Sequence, residues 1–320
     1  MINLLNAVVV AFIWVIIISN VLIIFVMFMV WLERKVSAHM QSRFGPMVVG
    51  GHGWLQLIAD TIKLLGKEDI TPKAADKFVF ITAPIIAFAS AFMAYLVIPF
   101  DKTWIVADLN VGILYIMAVT SLTVISIIMA GWGSNNKWTI LGAMRSASQI
   151  ISYEIPLILS IISVVMMAGS LSMVSIVEAQ SRIWFIFLQP IAFLIYLSAA
   201  VAEANRAPFD IPEAESELVS GYNTEYSGMK FAMFFFAEYV NLFTVSAIAA
   251  TLFLGGWSGF LLPGIFWFLI KTFAIVFIII WIRWTFPRLR VDQLSDFGWK
   301  VLVPLAFANI GITGLVMLFL

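Results

Sequence analysis

The chain has 320 residues, 62% of them apolar and only 11% charged, with a mean hydropathy of +1.04. Soluble domains run near 45–50% apolar and about 25% charged, so a water-soluble globule is excluded and lipid must be the solvent. Eighteen basic residues balance eighteen acidic ones, so no global field points to nucleic acid. The absence of cysteine excludes disulfides, thiolate zinc sites and an iron–sulfur cluster held by this chain alone. His39 and His52 are the only histidines, which argues against a bis-histidine haem in the membrane.

A membrane helix needs about 20 mostly apolar residues, and eight segments qualify, at roughly 5–31, 78–98, 110–130, 150–169, 184–203, 231–254, 263–284 and 300–320. The first lacks the basic flank of a signal peptide and runs into Glu33-Arg34-Lys35, which reads as a helix ending at the interface. No fixed-period repeat or soluble insertion interrupts the series, so residues 1–320 read as one all-α polytopic membrane domain. Counting connections alternately places fifteen of the eighteen basic residues on one side. Lys102 and Arg182 lie on the other, and Lys271 lies within a span. Lys and Arg resist translocation, so both termini are expected outside and the long polar loops face the cytoplasm.

The connection from 32 to 77 is too long for a turn. Within it Gln56, Asp60, Lys63 and Lys67 form one polar stripe, while Trp54, Leu55, Ile58, Ile62 and Leu65 form the opposite apolar face. That pattern predicts an amphipathic helix over about 54–65 lying in the interface plane. It reads either as a plain connector or as one wall of a cavity at the membrane surface. Just before it, Glu33, Arg34, Lys35, Gln41 and Arg43 cluster where the first helix emerges, and Gly45-Pro46 is a stop signal.

The connection 203–228 carries Glu203, Asp210, Glu213, Glu215, Glu217 and Glu225 against Arg206 alone, a local charge of −5. Prolines and aromatics interleave with the acids, which suggests a packed loop instead of a merely solvated one. Crowded, desolvated carboxylates exchange protons near neutral pH, and a divalent-cation site is a further reading of such a loop. Charges also fall within spans: Glu154 ahead of Pro156, Glu203, Glu238 and Lys271, with Arg145 and Arg283 as candidate counter-charges. Intramembrane charges mark either satisfied structural contacts or pathways. Three glutamates at the inner halves of three successive spans favour a proton route.

The stretch Ala202-Glu-Ala-Asn-Arg-Ala-Pro-Phe-Asp-Ile-Pro-Glu-Ala-Glu-Ser-Glu-Leu-Val-Ser-Gly-Tyr222, continuing to Phe231, resembles the signature loop of one respiratory family. This is the family of the H subunit of bacterial NADH:quinone oxidoreductase (respiratory complex I), the counterpart of mitochondrial NADH dehydrogenase subunit 1. Glu33-Arg-Lys35, Gln41-Ser-Arg-Phe-Gly-Pro46, Ala59-Asp60, Lys63, Gly131-Trp-Gly-Ser-Asn135, Ser152-Tyr-Glu154, Ala237-Glu-Tyr239, Trp281-Ile-Arg283 and Pro287–Leu294 extend the likeness along nearly the whole chain.

The resemblance implies a membrane subunit that forms part of a quinone chamber, with Arg34, Gln41, Arg43, Trp54, Ala59, Asp60, Lys63, Glu225 and Arg283 as chamber residues. It also implies a carboxylate path to proton pumping through Glu154, Glu203, Asp210, Glu213, Glu215, Glu217 and Glu238. Quinone is then the substrate. FMN and iron–sulfur clusters lie in partner subunits, and this chain binds no metal and carries no redox centre. The implied partners are the hydrophilic-arm quinone-site and iron–sulfur subunits, small membrane subunits and antiporter-like subunits. The implied location is the bacterial plasma membrane, or the mitochondrial inner membrane for an organellar protein. A homologous subunit of an energy-converting hydrogenase, or of a quinone- or methanophenazine-reducing complex, is the nearest alternative. A freestanding ion or solute transporter is the other, although inverted repeats and paired broken helices are not evident.

Overall fold

The computed structural model describes residues 2–211 and 219–319, with the backbone alone for 2–11. Among the described residues every regular element is helical. Seven helices are long and apolar enough to cross a bilayer: Phe12–Met40, Lys77–Leu96, Gly112–Gly133, Lys137–Ala168, Gly228–Phe253, Gly264–Thr285 and Val291–Phe319. The chain is a multi-pass membrane protein. Its internal contacts divide it into two units, 1–67 and 68–320.

The first unit contains α1 (Ile2–Met40) and α2 (Gln56–Leu65). The expected end of the first helix at residues 33–35 is corrected. The helix continues to Met40 and stops where Ser42 takes a left-handed φ of 53° and the Arg43 N–H closes onto the Ala38 carbonyl at 2.9 Å. Gly45-Pro46 comes only after the stop. Between α1 and α2, Gly53 has φ 77°, and a side chain there would collide with the Pro46 carbonyl. This tight approach delays the start of α2, so Trp54 and Leu55 precede the helix instead of opening it. On α2, Ile58, Ile62 and Leu65 are exposed while Leu57 is buried. An exposed apolar row on a short charged helix is the property of a helix that lies in an interface.

The second unit opens with α3 (Lys77–Met93), followed by α4 (Gly112–Thr120) and α5 (Leu122–Gly133), which are separated only at Ser121. Then come α6 (Lys137–Ala168), α7 (Met173–Ala179), α8 (Phe185–Leu188) and α9 (Pro190–Glu203). The last are α10 (Gly228–Phe253), α11 (Gly264–Thr285), α12 (Val291–Asp296) and α13 (Val303–Phe319). A π-helical stretch, Phe297–Leu302, joins α12 to α13, so the final span starts well before the expected residue 300. Asp76 caps α3 through the Phe78 and Val79 N–H groups, and Asn136 caps α6 through the Trp138 N–H.

The expected fifth span, 184–203, is not one helix. Pro190 supplies no N–H and disfavours helical geometry at Gln189, which sits at φ −130°. The break is held in place because the Gln189 side chain donates to Thr313 Oγ1 at 2.8 Å and accepts from Asn309 Nδ2 at 2.9 Å. The remaining fourteen-residue α9 rises only about 21 Å, short of the ~30 Å hydrocarbon core.

Helix α10 is the centre of the second unit, because every residue from Leu242 to Phe253 is buried. Buried tyrosines around it satisfy their hydroxyls on its backbone: Tyr95 donates to the Val240 carbonyl at 3.0 Å and Tyr196 to the Val245 carbonyl at 2.8 Å. Lys271 on α11 is likewise a satisfied structural cation. Its ammonium donates to the Gly256 and Ser258 carbonyls at 2.9 and 2.6 Å and faces the Trp184 ring at 4.6 Å.

Candidate functional site

In the first unit, the last turns of α1 and the polar stripe of α2 meet through Arg34. Its guanidinium donates to Asp60 Oδ2 at 2.7 Å, while Gln56 donates to Asp60 Oδ1 at 3.0 Å. Burial pushes the Asp60 carboxyl up, but the hydrogen bonds from Arg34 and Gln56 and the charges of Arg34 and Lys63 outweigh it. The group is held below the ordinary carboxylate value. Asp60 is therefore a fixed anion at neutral pH. A cavity of about 360 Å³ opens beside the pair, lined by Arg34, Ser37, Arg43, Pro46, Gln56 and Asp60. Arg43 leans on Gln41, with Nε donating to Oε1 at 2.6 Å.

The structure thus brings Arg34, Arg43 and Asp60 to one opening, with Gln41 behind Arg43. Ala59 is half-buried on α2 and Lys63 is exposed. Trp54 does not line the cavity. It stacks on Trp31 with ring centroids 4.2 Å apart and on Phe28 at 5.9 Å, forming an aromatic ledge against α1. Phe28 and Trp31 carry no sequence expectation. Their signal was the i, i+3 spacing on the face of α1 that meets the loop.

In the second unit, a small cavity of about 40 Å³ lies among α3, α5, α6, α9 and α10. Its polar lining is Thr123, Ser126, Glu203, Asn205, Glu238 and Asn241. The backbone explains how they converge. Helix α9 ends with Asn205 at φ 50° and the Arg206 N–H returning to the Val201 carbonyl at 3.2 Å, which folds Arg206 back under the helix. The Arg206 guanidinium then meets Glu238 Oε1 at 2.9 Å and lies 4.5 Å from the Tyr239 ring. Gln149 on α6 ties the same corner by donating to the Ala202 carbonyl at 2.8 Å and Asn205 Oδ1 at 3.3 Å.

Glu203 and Glu238 therefore share one cavity, as their places in successive spans suggested. Glu154 is half-buried on α6 and does not line it. Asp210 is half-buried in the loop beyond Arg206, and Glu213, Glu215 and Glu217 lie outside the described residues. Glu225 accepts from Asn136 Nδ2 at 2.5 Å, the residue that caps α6, so it braces a helix start. Arg283 sits in the last turn of α11, 5.9 Å from the Trp284 ring.

Arg206 is a counter-charge of Glu238 that the sequence reading did not name. The Asn205 turn before Ala207-Pro208 brings Arg206 there. Thr123 with Ser126 and Glu238 with Asn241 were also legible as i, i+3 polar pairs on otherwise apolar helices.

A family model described as NADH dehydrogenase matches residues 13–314 of the chain. A Bacillus mycoides protein, named as the H subunit of NADH-quinone oxidoreductase, is 56% identical over 298 residues, covering 91% of this chain and 89% of that protein. Proteins of the same name from Bacillus cytotoxicus and Bacillus cereus are 56% and 55% identical over 297 and 298 residues, with the same shares of both chains. On this coverage and identity, the chain belongs to the NADH dehydrogenase family of membrane subunits.

Proposed function

We propose that this chain is the H-type membrane subunit of a proton-translocating NADH–quinone oxidoreductase, lining part of the quinone chamber and coupling quinone reduction to proton movement. Identity of 55–56% across nine-tenths of the chain with proteins of that name supports the assignment to the complex. The observation that carries the coupling role is the small cavity that Glu203 and Glu238 line together.

Quinone becomes quinol by taking two electrons and two protons. The electrons come from NADH through FMN and iron–sulfur clusters in partner subunits, since this chain has no cysteine to hold a cluster. Its own residues do the rest. In the first unit, Arg34, Gln41, Arg43, Asp60 and Lys63 give the chamber a polar rim, Ala59 gives it a small apolar wall, and Trp54 flanks it on an aromatic ledge against α1. Asp60 stays ionised, so it orients Arg34 and does not itself exchange a proton.

In the second unit, protons pass along Glu154, Glu203, Asp210, Glu213, Glu215, Glu217 and Glu238. The cavity has room for a water or two beside its polar groups, and a water there would link Glu203 and Glu238. Protonating Glu238 weakens its attraction to Arg206, which ties proton uptake to the position of the guanidinium. That is how a proton moves a side chain. The partners are the hydrophilic-arm, small membrane and antiporter-like subunits of the complex, in the plasma membrane. The broken α8–α9 segment makes the eighth crossing, with both termini outside.

Two experiments test this reading. The chain purified from native membranes should bring flavin and iron–sulfur subunits with NADH–quinone activity; a lone chain that transports ions would overturn it. Single cysteines at Ser216 and Ser258 in this cysteine-free chain should label from opposite faces, Ser216 from the cytoplasm. Labelling of both from one face would remove the eight-crossing topology.

A further inference from the structure

A second large cavity in the 68–320 unit belongs to neither site. It has a volume of about 590 Å³ and lies where the start of α6 meets the connection from α11 to α12. Three guanidiniums line it, from Arg145, Arg288 and Arg290, against one carboxylate, Asp292. Arg145 is half-buried and has a partner of its own, so it contributes field more than a free fork. Arg288 and Arg290 are exposed, and Arg288 makes one long contact, Nη2 to the Ile211 carbonyl at 3.5 Å. The remaining lining is apolar: Ile211, Leu289 and Val291.

We propose that this cavity binds the phosphodiester headgroup of an anionic phospholipid. Guanidinium forks match phosphate oxygens in pairs and hold them with charge-assisted hydrogen bonds, and Arg288 and Arg290 against Asp292 give the described lining an excess of positive charge even with Arg145 set aside. Free phosphate offers the same chemistry, but three features favour a lipid. The cavity is larger than a phosphate needs, and its apolar sill suits the glycerol and first acyl carbons. It also adjoins the end of a membrane-crossing helix whose last turns expose Trp281 and Trp284, followed by exposed Phe286. Aromatic rings of this kind gather at headgroup depth.

The test uses the intact complex, delipidated in detergent and titrated with phosphatidylglycerol or phosphatidylcholine, with retained lipid counted by native mass spectrometry. The parent should retain phosphatidylglycerol and not phosphatidylcholine, and millimolar inorganic phosphate should not displace it. Replacing Arg288→Gln and Arg290→Gln together should weaken retention about fivefold per guanidinium. Arg288→Lys with Arg290→Lys, which keeps the charge and guards against misfolding, should lose less. Lys102→Gln, an exposed cation elsewhere, should change nothing. Equal retention of both lipids, parent-like retention by the double glutamine variant, or displacement by free phosphate would overturn the lipid assignment. Loss of a partner subunit from the double variant, with no lipid on the parent complex, would overturn it in favour of an acidic protein segment.

Discussion

Arg34–Asp60 and Arg206–Glu238 are arginine–carboxylate pairs of nearly equal length in opposite surroundings. Arg34 and Asp60 meet at 2.7 Å with side chains 40% and 29% exposed; Arg206 and Glu238 meet at 2.9 Å with side chains 4% and 12% exposed. Distance therefore does not decide what a pair does. Around the first, water screens the charges, and such contacts contribute about 0.2–1 kcal/mol. Around the second, desolvation makes each charge depend on the other. Removing one partner of a buried pair costs about 3–5 kcal/mol, although a well-packed apolar replacement of both is often neutral. The surface pair is built to stay as it is. In the buried pair, loss of either charge leaves the other desolvated.

The largest effect should follow from breaking the buried pair on its basic side. Arg206→Leu leaves Glu238 without its cation and should destabilise the second unit by about 3–5 kcal/mol. Adding Glu238→Leu should recover much of that loss. Thermal unfolding of the four members of the cycle measures the coupling. Equal, additive losses from both single substitutions would mean that the pair is not energetically coupled, and the contrast with Arg34–Asp60 would fail.

Next in size is a loss of function without loss of structure. Glutamine keeps the shape of glutamate and an acceptor for Arg206, but it cannot change charge. Glu238→Gln should assemble with normal NADH oxidation by an artificial acceptor, yet lower proton uptake per NADH severely in reconstituted vesicles. Glu154→Gln should be milder, since Glu154 does not line the cavity with Glu203 and Glu238. Pumping by Glu238→Gln at the parent level would return Glu238 to a structural role.

The sequence made the spans legible because lipid demands long apolar runs, and helix ends were harder because they depend on single backbone angles. The first helix outruns its apolar stretch because Ser42, and not the charged Glu33-Arg34-Lys35, takes the left-handed turn. The expected fifth span, 184–203, breaks at Gln189-Pro190 although its hydropathy is continuous. The site was legible in its acids: Glu203 and Glu238 do converge. It was not legible in its base, since Arg206 reaches Glu238 only through the Asn205 turn, and residues thirty-two apart in the chain carry no periodic signal of contact.

A smaller effect is expected at the surface pair. Arg34→Gln should cost about 0.2–1 kcal/mol, and less in high salt. The pH dependence has a definite sign. Asp60 is held below its ordinary value of 3.8, so its stabilising contribution is present above that value and disappears as pH falls through the lowered one. Between pH 5 and 8, roughly the range in which native proteins are most stable, the parent and Asp60→Asn should differ by a constant amount, and the difference should shrink only in acid. A difference that changes near neutrality would make Asp60 a proton-exchanging group and erase the distinction from Glu238.

The smallest effect should come from Asp108, an exposed acid that accepts from Ser172 Oγ at 3.1 Å beside the start of α7. Ser172 is buried at 6% exposure, and its hydroxyl points to Asp108 instead of capping its own helix. What matters here is an acceptor, not a charge. Asparagine supplies the same oxygen, so Asp108→Asn should leave both stability and proton uptake unchanged. Alanine removes the acceptor and leaves the serine hydroxyl poorly satisfied, at about 1 kcal/mol. Unfolding and vesicle assays on the two variants separate these cases. Loss of pumping in Asp108→Asn would show that an exposed carboxylate, far in sequence from Glu203 and Glu238, also depends on its charge, and burial would no longer explain why the two arginine pairs differ.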